Sequence, residues 1–160
     1  MWLGGGGENR VFNLPLILAR LIAEGVWPST AGPSMNMQQL HPTIPADRVR
    51  RFADDESLIC LQPPPFPTIA QLRAAGGAGD FWERFGALDQ IDPARVLVIG
   101  DFGLGSDSPV VLDFARDASN PPVLRLRWGS RGQSNEWVQG ARDFAEFAAM
   151  LGIGQRHTSP

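Results

Sequence analysis

The segment from Arg95 to Gly152 constrains this chain more than any other. It carries two runs of β-branched and aliphatic residues, Val96-Leu97-Val98-Ile99 and Pro109-Val110-Val111-Leu112, on either side of Gly103-Leu104-Gly105-Ser106-Asp107-Ser108. Short apolar runs bounded by glycine and aspartate read as strands, and the intervening composition is that of a hairpin loop. Asp117-Ala118-Ser119-Asn120-Pro121 supplies the next reversal, into Val123-Leu124-Arg125-Leu126-Arg127-Trp128. Trp137-Val138 follows a second polar turn as a short fourth strand. Phe144, Phe147, Ala148 and Leu151 then share one helical face, with Gly152 as the stop signal. The pattern predicts an antiparallel meander over 95–139 closed by a helix over 143–151.

A chain of 160 residues fits one domain with a core large enough to bury most of its apolar groups. Hydrophobic residues make up 43% and charged residues 19%, a globular balance. The formal net charge of −3 argues against nucleic acid, which calls for a concentrated basic face, and permits a basic partner. All fourteen cationic residues are arginine, a composition we read with the high alanine, glycine and proline content as codon bias. Cys60 is the single cysteine, which rules out an intrachain disulfide and suits a reducing cytosol. The first eight residues have neither a basic n-region nor an apolar h-region, so no signal peptide is expected. Leu14 to Trp27 contains Arg20 and Glu24 and is too short to span a bilayer. A cytoplasmic protein without a membrane partner is the expectation.

Four consecutive glycines make 1–10 read as a flexible arm, because ordering them costs backbone entropy. Leu14, Ile17, Leu18, Leu21 and Ile22 predict an amphipathic helix over Leu14 to Glu24, capped by Asn13 and ended by Gly25. Trp27 to Pro45 reads as an irregular crossing segment. Helical turns are expected over Arg48 to Phe52 and Thr68 to Ala75, and a short helix over Asp80 to Leu88. The apolar run Leu58 to Leu61 is a strand or a helix end, stopped by Pro63-Pro64-Pro65.

Gly103-Leu104-Gly105 leads into a strand, not a helix, and no lysine is present, so a phosphate loop does not fit. Asp101, Asp107 and Asp113 form a divalent-metal or acid–base group only if the strand register brings them together. His41 and His157 have no partner motif, and Cys60 in an apolar run reads as an inert buried thiol. These residues support no catalytic, cofactor or metal assignment. Trp128 and Trp137 flank Gly129 to Glu136 with Arg125, Arg127 and Arg131 nearby, and tryptophan and arginine are enriched at binding hot spots. Strand alternation puts Leu124, Leu126 and Trp128 on one face and Val123, Arg125 and Arg127 on the other, which reads Trp128 as core and the arginines as exposed. The candidate partner-binding residues are therefore Asp101, Phe102, Asp107 and Ser108 at one hairpin end, with Arg125, Arg127 and Arg131.

Val96-Leu97-Val98-Ile99-Gly100-Asp101, Pro109-Val110-Val111-Leu112-Asp113, Pro122-Val123-Leu124 and Ala141-Arg142-Asp143-Phe144-Ala145-Glu146-Phe147 with Leu151 resemble the SUKH superfamily of bacterial immunity proteins and fungal cell-wall-synthesis regulators. The opening Leu14-Pro15 helix, ending at Gly25-Val26-Trp27, is similar to members of this group as well. The resemblance implies an α+β fold over 11–153, with a curved, mostly antiparallel sheet against an N-terminal and a C-terminal helix; the polar residues 154–160 read as a flexible tail. It also implies a non-catalytic immunity protein whose exposed loops and sheet face bind and neutralise a cognate protein toxin. A basic, nuclease-type toxin suits the acidic balance. A regulatory scaffold of the fungal type is the alternative, and the strand-end aspartates motivate a third, a small metal-dependent hydrolase.

Overall fold

The computed structural model describes residues 12–28, 44–76, 79–102, 108–130 and 133–154. The arm at 1–10, nearly all of the crossing segment, Gly103 to Asp107, Arg131 and the tail beyond Gly154 lie outside them. Helix α1 spans Leu16–Ala23 and α2 spans Ala46–Phe52; strand β1 is Cys60–Leu61. Helices α3 (Ile69–Ala75) and α4 (Phe81–Phe85) and a 3₁₀ turn at Leu88–Gln90 lead to β2 (Val96–Asp101). β3 (Pro109–Asp113), β4 (Val123–Arg127), β5 (Glu136–Ala141) and helix α5 (Phe144–Leu151) complete the order.

The fold is α+β: an open five-stranded antiparallel meander in the order β1-β2-β3-β4-β5, with helices packed on it. Register breaks between Val98 and Gly100 and between Val123 and Leu124 insert bulges, which bend and twist the strands that carry them. No described helix is long and apolar enough to cross a membrane.

Two apolar clusters occupy opposite faces of the sheet. Leu97, Ile99, Val110, Leu112, Val123 and Ala141 pack with Leu18 and Leu21 of α1, Val49 and Phe52 of α2, and Phe144, Phe147, Ala148 and Leu151 of α5. Val96, Val98, Val111, Leu124, Leu126 and Trp137 pack with Ile69 and Trp82 from α3 and α4. Because both faces are covered, β2 and β3 carry unbroken apolar runs where a half-exposed strand would alternate. An exposed sheet face for a partner, expected from the resemblance, is therefore covered by these helices. A partner must use the ends of the strands or the helices themselves.

Local chemistry sets most boundaries. Asp143 caps α5, its carboxylate accepting the Glu146 amide at 2.9 Å, and Gly152 closes it at φ 71°. Thr68 and Gln71 form a reciprocal capping box at the start of α3. α1 begins after Pro15 with no side-chain cap, so the expected role of Asn13 is not realised.

The helix expected over Asp80 to Leu88 is divided at Gly86. The Trp137 indole N–H donates to the Gly86 carbonyl at 2.8 Å, and Ala87 turns to φ 47° before the 3₁₀ turn. The two buried tryptophans of that face differ in this respect, since the Trp82 indole nitrogen has no hydrogen-bond partner. Trp82→Phe deletes an unsatisfied donor, whereas Trp137→Phe leaves the Gly86 carbonyl without its partner. Trp137→Phe is expected to cost about 1–2 kcal/mol more than Trp82→Phe in urea unfolding. Equal losses would mean that ring volume alone sets the cost.

Candidate functional site at one end of the sheet

The two regions singled out from the sequence meet in space. β1 pairs Cys60 with Asp101, β2 pairs Asp101 with Pro109, and β4 pairs Arg125 with Val110. Asp101, Phe102, Ser108 and Arg125 thus gather at one end of the sheet. The turn after α2 delivers Asp54, Asp55 and Glu56 to the same end, where Asp55 lies 2.9 Å and Asp54 3.9 Å from the Arg125 guanidinium.

Several of these residues are not where the sequence put them. Arg125, expected to face solvent or a partner, is 5% exposed, its guanidinium carbon 5.9 Å from the centre of the Phe102 ring. Phe102 itself belongs to the core, 6.0 Å from Phe52, and Ser108 is buried. Both were expected on an exposed loop; just past the β2–β3 ladder the Phe102 amide donates to the Ser108 carbonyl at 3.4 Å, and the Phe102 ring packs into the core. Asp101 is half-buried and Arg127 exposed, the latter ion-paired with Glu136 across the β4–β5 ladder. Asp107 and Arg131 lie outside the described residues. Trp128, read as core, is 43% exposed beyond the end of β4.

Alternation explains the burial of Arg125: it points to the face that carries Val123, where Phe102 forms its floor and the 54–56 turn its rim. Burying a guanidinium without an anion is costly, so the acidic turn is part of the fold. Among the described residues, the three carboxylates of this turn outnumber the cation they hold. Asp54 has a side chain 95% exposed, and Glu56 and Asp101 stand close enough to influence one another.

Burial, together with the nearby Asp55 and Asp101 charges, raises the Glu56 pKa above the ordinary glutamate value of 4.5, against the opposing pull of Arg125. A carboxyl with a raised folded pKa favours the folded state in its protonated form. Its contribution is fully present below 4.5 and is lost as pH rises through the folded value. Glu56→Gln, which mimics the protonated form, is expected to stabilise the protein at about pH 7 and to be indistinguishable from the parent near about pH 4. Urea denaturation at the two pH values measures this; a variant less stable than the parent at neutral pH would contradict it.

The chain matches no family model, no curated protein and no solved structure. Residue placement must then speak for itself. Asp113, proposed as a companion of Asp101, pairs with Val96 at the far end of the same hairpin. It is buried, bonded to the Ala115 and Arg116 amides and to the Arg116 guanidinium. Asp101 and Asp113 therefore do not converge, and among the described residues no group of three or more His, Cys, Asp or Glu is placed to hold a metal ion.

Asp54, Asp55 and Glu56 are the site residues that sequence reasoning missed. The acidic triplet was visible, but nothing local announces that a strand residue some seventy positions later will be buried against it.

Proposed function

We propose that the protein acts by binding, as an immunity protein that neutralises a cognate protein toxin through the acidic end of its sheet. The observation that carries the proposal is the convergence of Asp54, Asp55, Glu56 and Asp101 around the buried cation Arg125. This excess of negative charge is held on a rigid support, since a sheet packed on both faces gives the rim little freedom to relax. Such a rim suits a basic partner, for which opposite charge accelerates encounter and disfavours wrong orientations. The sequence resemblance of residues 95–152 to SUKH immunity proteins supports the same reading.

Growth rescue tests the proposal: the chain is co-expressed with the toxic product of a neighbouring gene, and the complex is purified. Rescue together with a stable complex is expected. A complex without rescue indicates a scaffold that binds without neutralising, and failure of both with every adjacent toxin-like product would sink the immunity role.

Asp54→Lys supplies the site-specific arm, because Asp54 is exposed and Asp55 keeps the closer ion pair with Arg125. Association with the toxin is expected to slow by about tenfold or more at low salt, with the difference shrinking as salt is added. An unchanged rate would place the contact elsewhere.

A further inference from the structure

An open sheet has two edges, and this chain treats them differently. On the β1 side Cys60 and Leu61 are fully buried, and the Gln62 carbonyl accepts the Trp27 indole N–H at 2.8 Å. That edge is closed. β5 forms the other, with Glu136 and Gln139 exposed and Val138 and Gly140 half-buried. It starts at the acidic end of the sheet, where Glu136 pairs with Arg127 and Val138 with Arg125.

The register shows which backbone groups of β5 face outward. The Trp137 amide donates to the Gln90 side chain at 2.8 Å, so it points away from β4. Alternate residues of an antiparallel ladder turn both backbone groups the same way, which directs the Trp137 carbonyl and the Gln139 amide and carbonyl outward too. The extra residue of the bulge is Gly140, which follows them. Among the described residues none bonds these three groups. Natural sheets shield such edges with short strands, bulges or covering chain, because unpaired N–H and C=O groups are a template for another strand. Here Gln90 covers one position and the bulge lies beyond the last, and the positions between them stay open.

Backbone donors and acceptors in strand spacing select an extended polypeptide, whose own N–H and C=O groups repeat at the same interval. The face of the sheet selects its charge. Arg125 and Val138 are direct neighbours across the β4–β5 ladder, so both side chains stand on one face. On that face Phe52, the last residue of α2, lies so close over Gly140 that a Cβ there would overlap its ring. Two residues further on, Asp54 and then Asp55 meet the Arg125 guanidinium at 3.9 and 2.9 Å. A strand laid along β5 therefore puts the side chain opposite Val138 on the face that carries this acidic turn. Asp54, its side chain 95% exposed, can accept a second cation there.

We propose that β5 is the docking edge for an extended, cationic segment of the partner, which joins the sheet as a further strand with an arginine or lysine facing the Asp54–Asp55 turn. The inference rests on the acidic-rim reading of the proposed function and adds the form in which the partner's charge arrives.

The test titrates the full chain with the peptide acetyl-Thr-Val-Arg-Val-Thr-amide and follows backbone amides by NMR. With its arginine opposite Val138, the peptide turns both valine amides toward β5 and the arginine amide away. Saturable shifts are expected at Val138, Gln139 and Asp54, with deuterium exchange of the Gln139 amide slowed about tenfold or more in the complex. Methylating the two valine backbone nitrogens should weaken binding about tenfold or more, whereas methylating the arginine backbone nitrogen should leave it within about threefold. The citrulline peptide, of the same shape without the charge, should bind about threefold or more weakly, and this preference should vanish in Asp54→Lys. Shifts at Asp54 and Asp55 that are indifferent to valine methylation would overturn strand addition and leave the acidic rim standing. Edge shifts equal for arginine and citrulline would remove the rim from docking, and the acidic reading would fall with the proposal. No shift at about 10 mM peptide would overturn strand addition alone. So would shifts of the same amides on raising protein concentration without peptide, which would give the edge to a second copy.

Discussion

Phe147→Ala is expected to destabilise the protein by about 3–5 kcal/mol, a large fraction of the roughly 5–15 kcal/mol that holds a domain folded. The reason lies in where the ring sits. Phe147 is fully buried, its ring centre 4.8 Å from Phe52 in an edge-to-face arrangement and 5.7 Å from Phe144. It therefore joins α5 to α2 above the sheet face that carries Ile99 and Leu112. Truncation removes the ring's own transfer free energy and leaves a cavity that two helices and a covered sheet cannot close by local movement.

Ala145→Ser, on the exposed side of the same helix, should change stability by less than about 0.5 kcal/mol. Urea unfolding of the two variants measures the contrast. A loss below about 1 kcal/mol for Phe147→Ala would show that α5 is not locked against α2 in solution.

Helix α5 was also among the most legible elements of the sequence, for a physical reason. Its apolar face, its Asp143 cap and its Gly152 stop all lie within ten residues of one another. The strands were legible on the same terms, because unbroken β-branched runs between turn residues admit few alternatives. What could not be read was everything set by distant partners. The helix over Asp80 to Leu88 stops at Gly86, where Ala87 turns to φ 47° and an indole from β5 bonds the Gly86 carbonyl. Trp128 follows the alternation of Leu124 and Leu126, but it stands past the last paired residue of β4, where Phe81 and Phe85 cover only part of it.

The candidate site shows the same division. Turn composition and strand pattern single out Asp101, Phe102, Ser108 and Arg125, and the register brings them to one end of the sheet. Their exposure is not legible there, because strand alternation gives the face that Arg125 occupies and not what covers that face. Arg125 instead meets Asp54 and Asp55 from the turn after α2. That pairing depends on how the chain between α2 and β1 folds back, a matter that no local pattern encodes.

Arg125 and its anions make a pair of substitutions with opposed outcomes. Removing both Asp54 and Asp55 to alanine leaves a guanidinium that is 5% exposed with neither carboxylate from that turn. The expected loss is about 2–3 kcal/mol, below the usual cost of orphaning a fully buried charge because the outer edge of the site remains open to water. Arg125→Met removes the cation instead and places a flexible apolar chain against Phe102 and Phe52. The carboxylates left behind include Asp54, whose side chain is 95% exposed, and it stays hydrated. Arg125→Met should therefore lie within about 1 kcal/mol of the parent, because a buried ion pair replaced by well-packed apolar volume is often neutral. The two variants also part in their effect on recognition. Arg125→Met makes the rim more negative and should accelerate encounter with a basic toxin at low salt, whereas Asp54→Ala with Asp55→Ala should slow it. If Arg125→Met were the more destabilising of the two, the acidic turn would be held by other contacts and its excess charge would not be the price of burying one arginine.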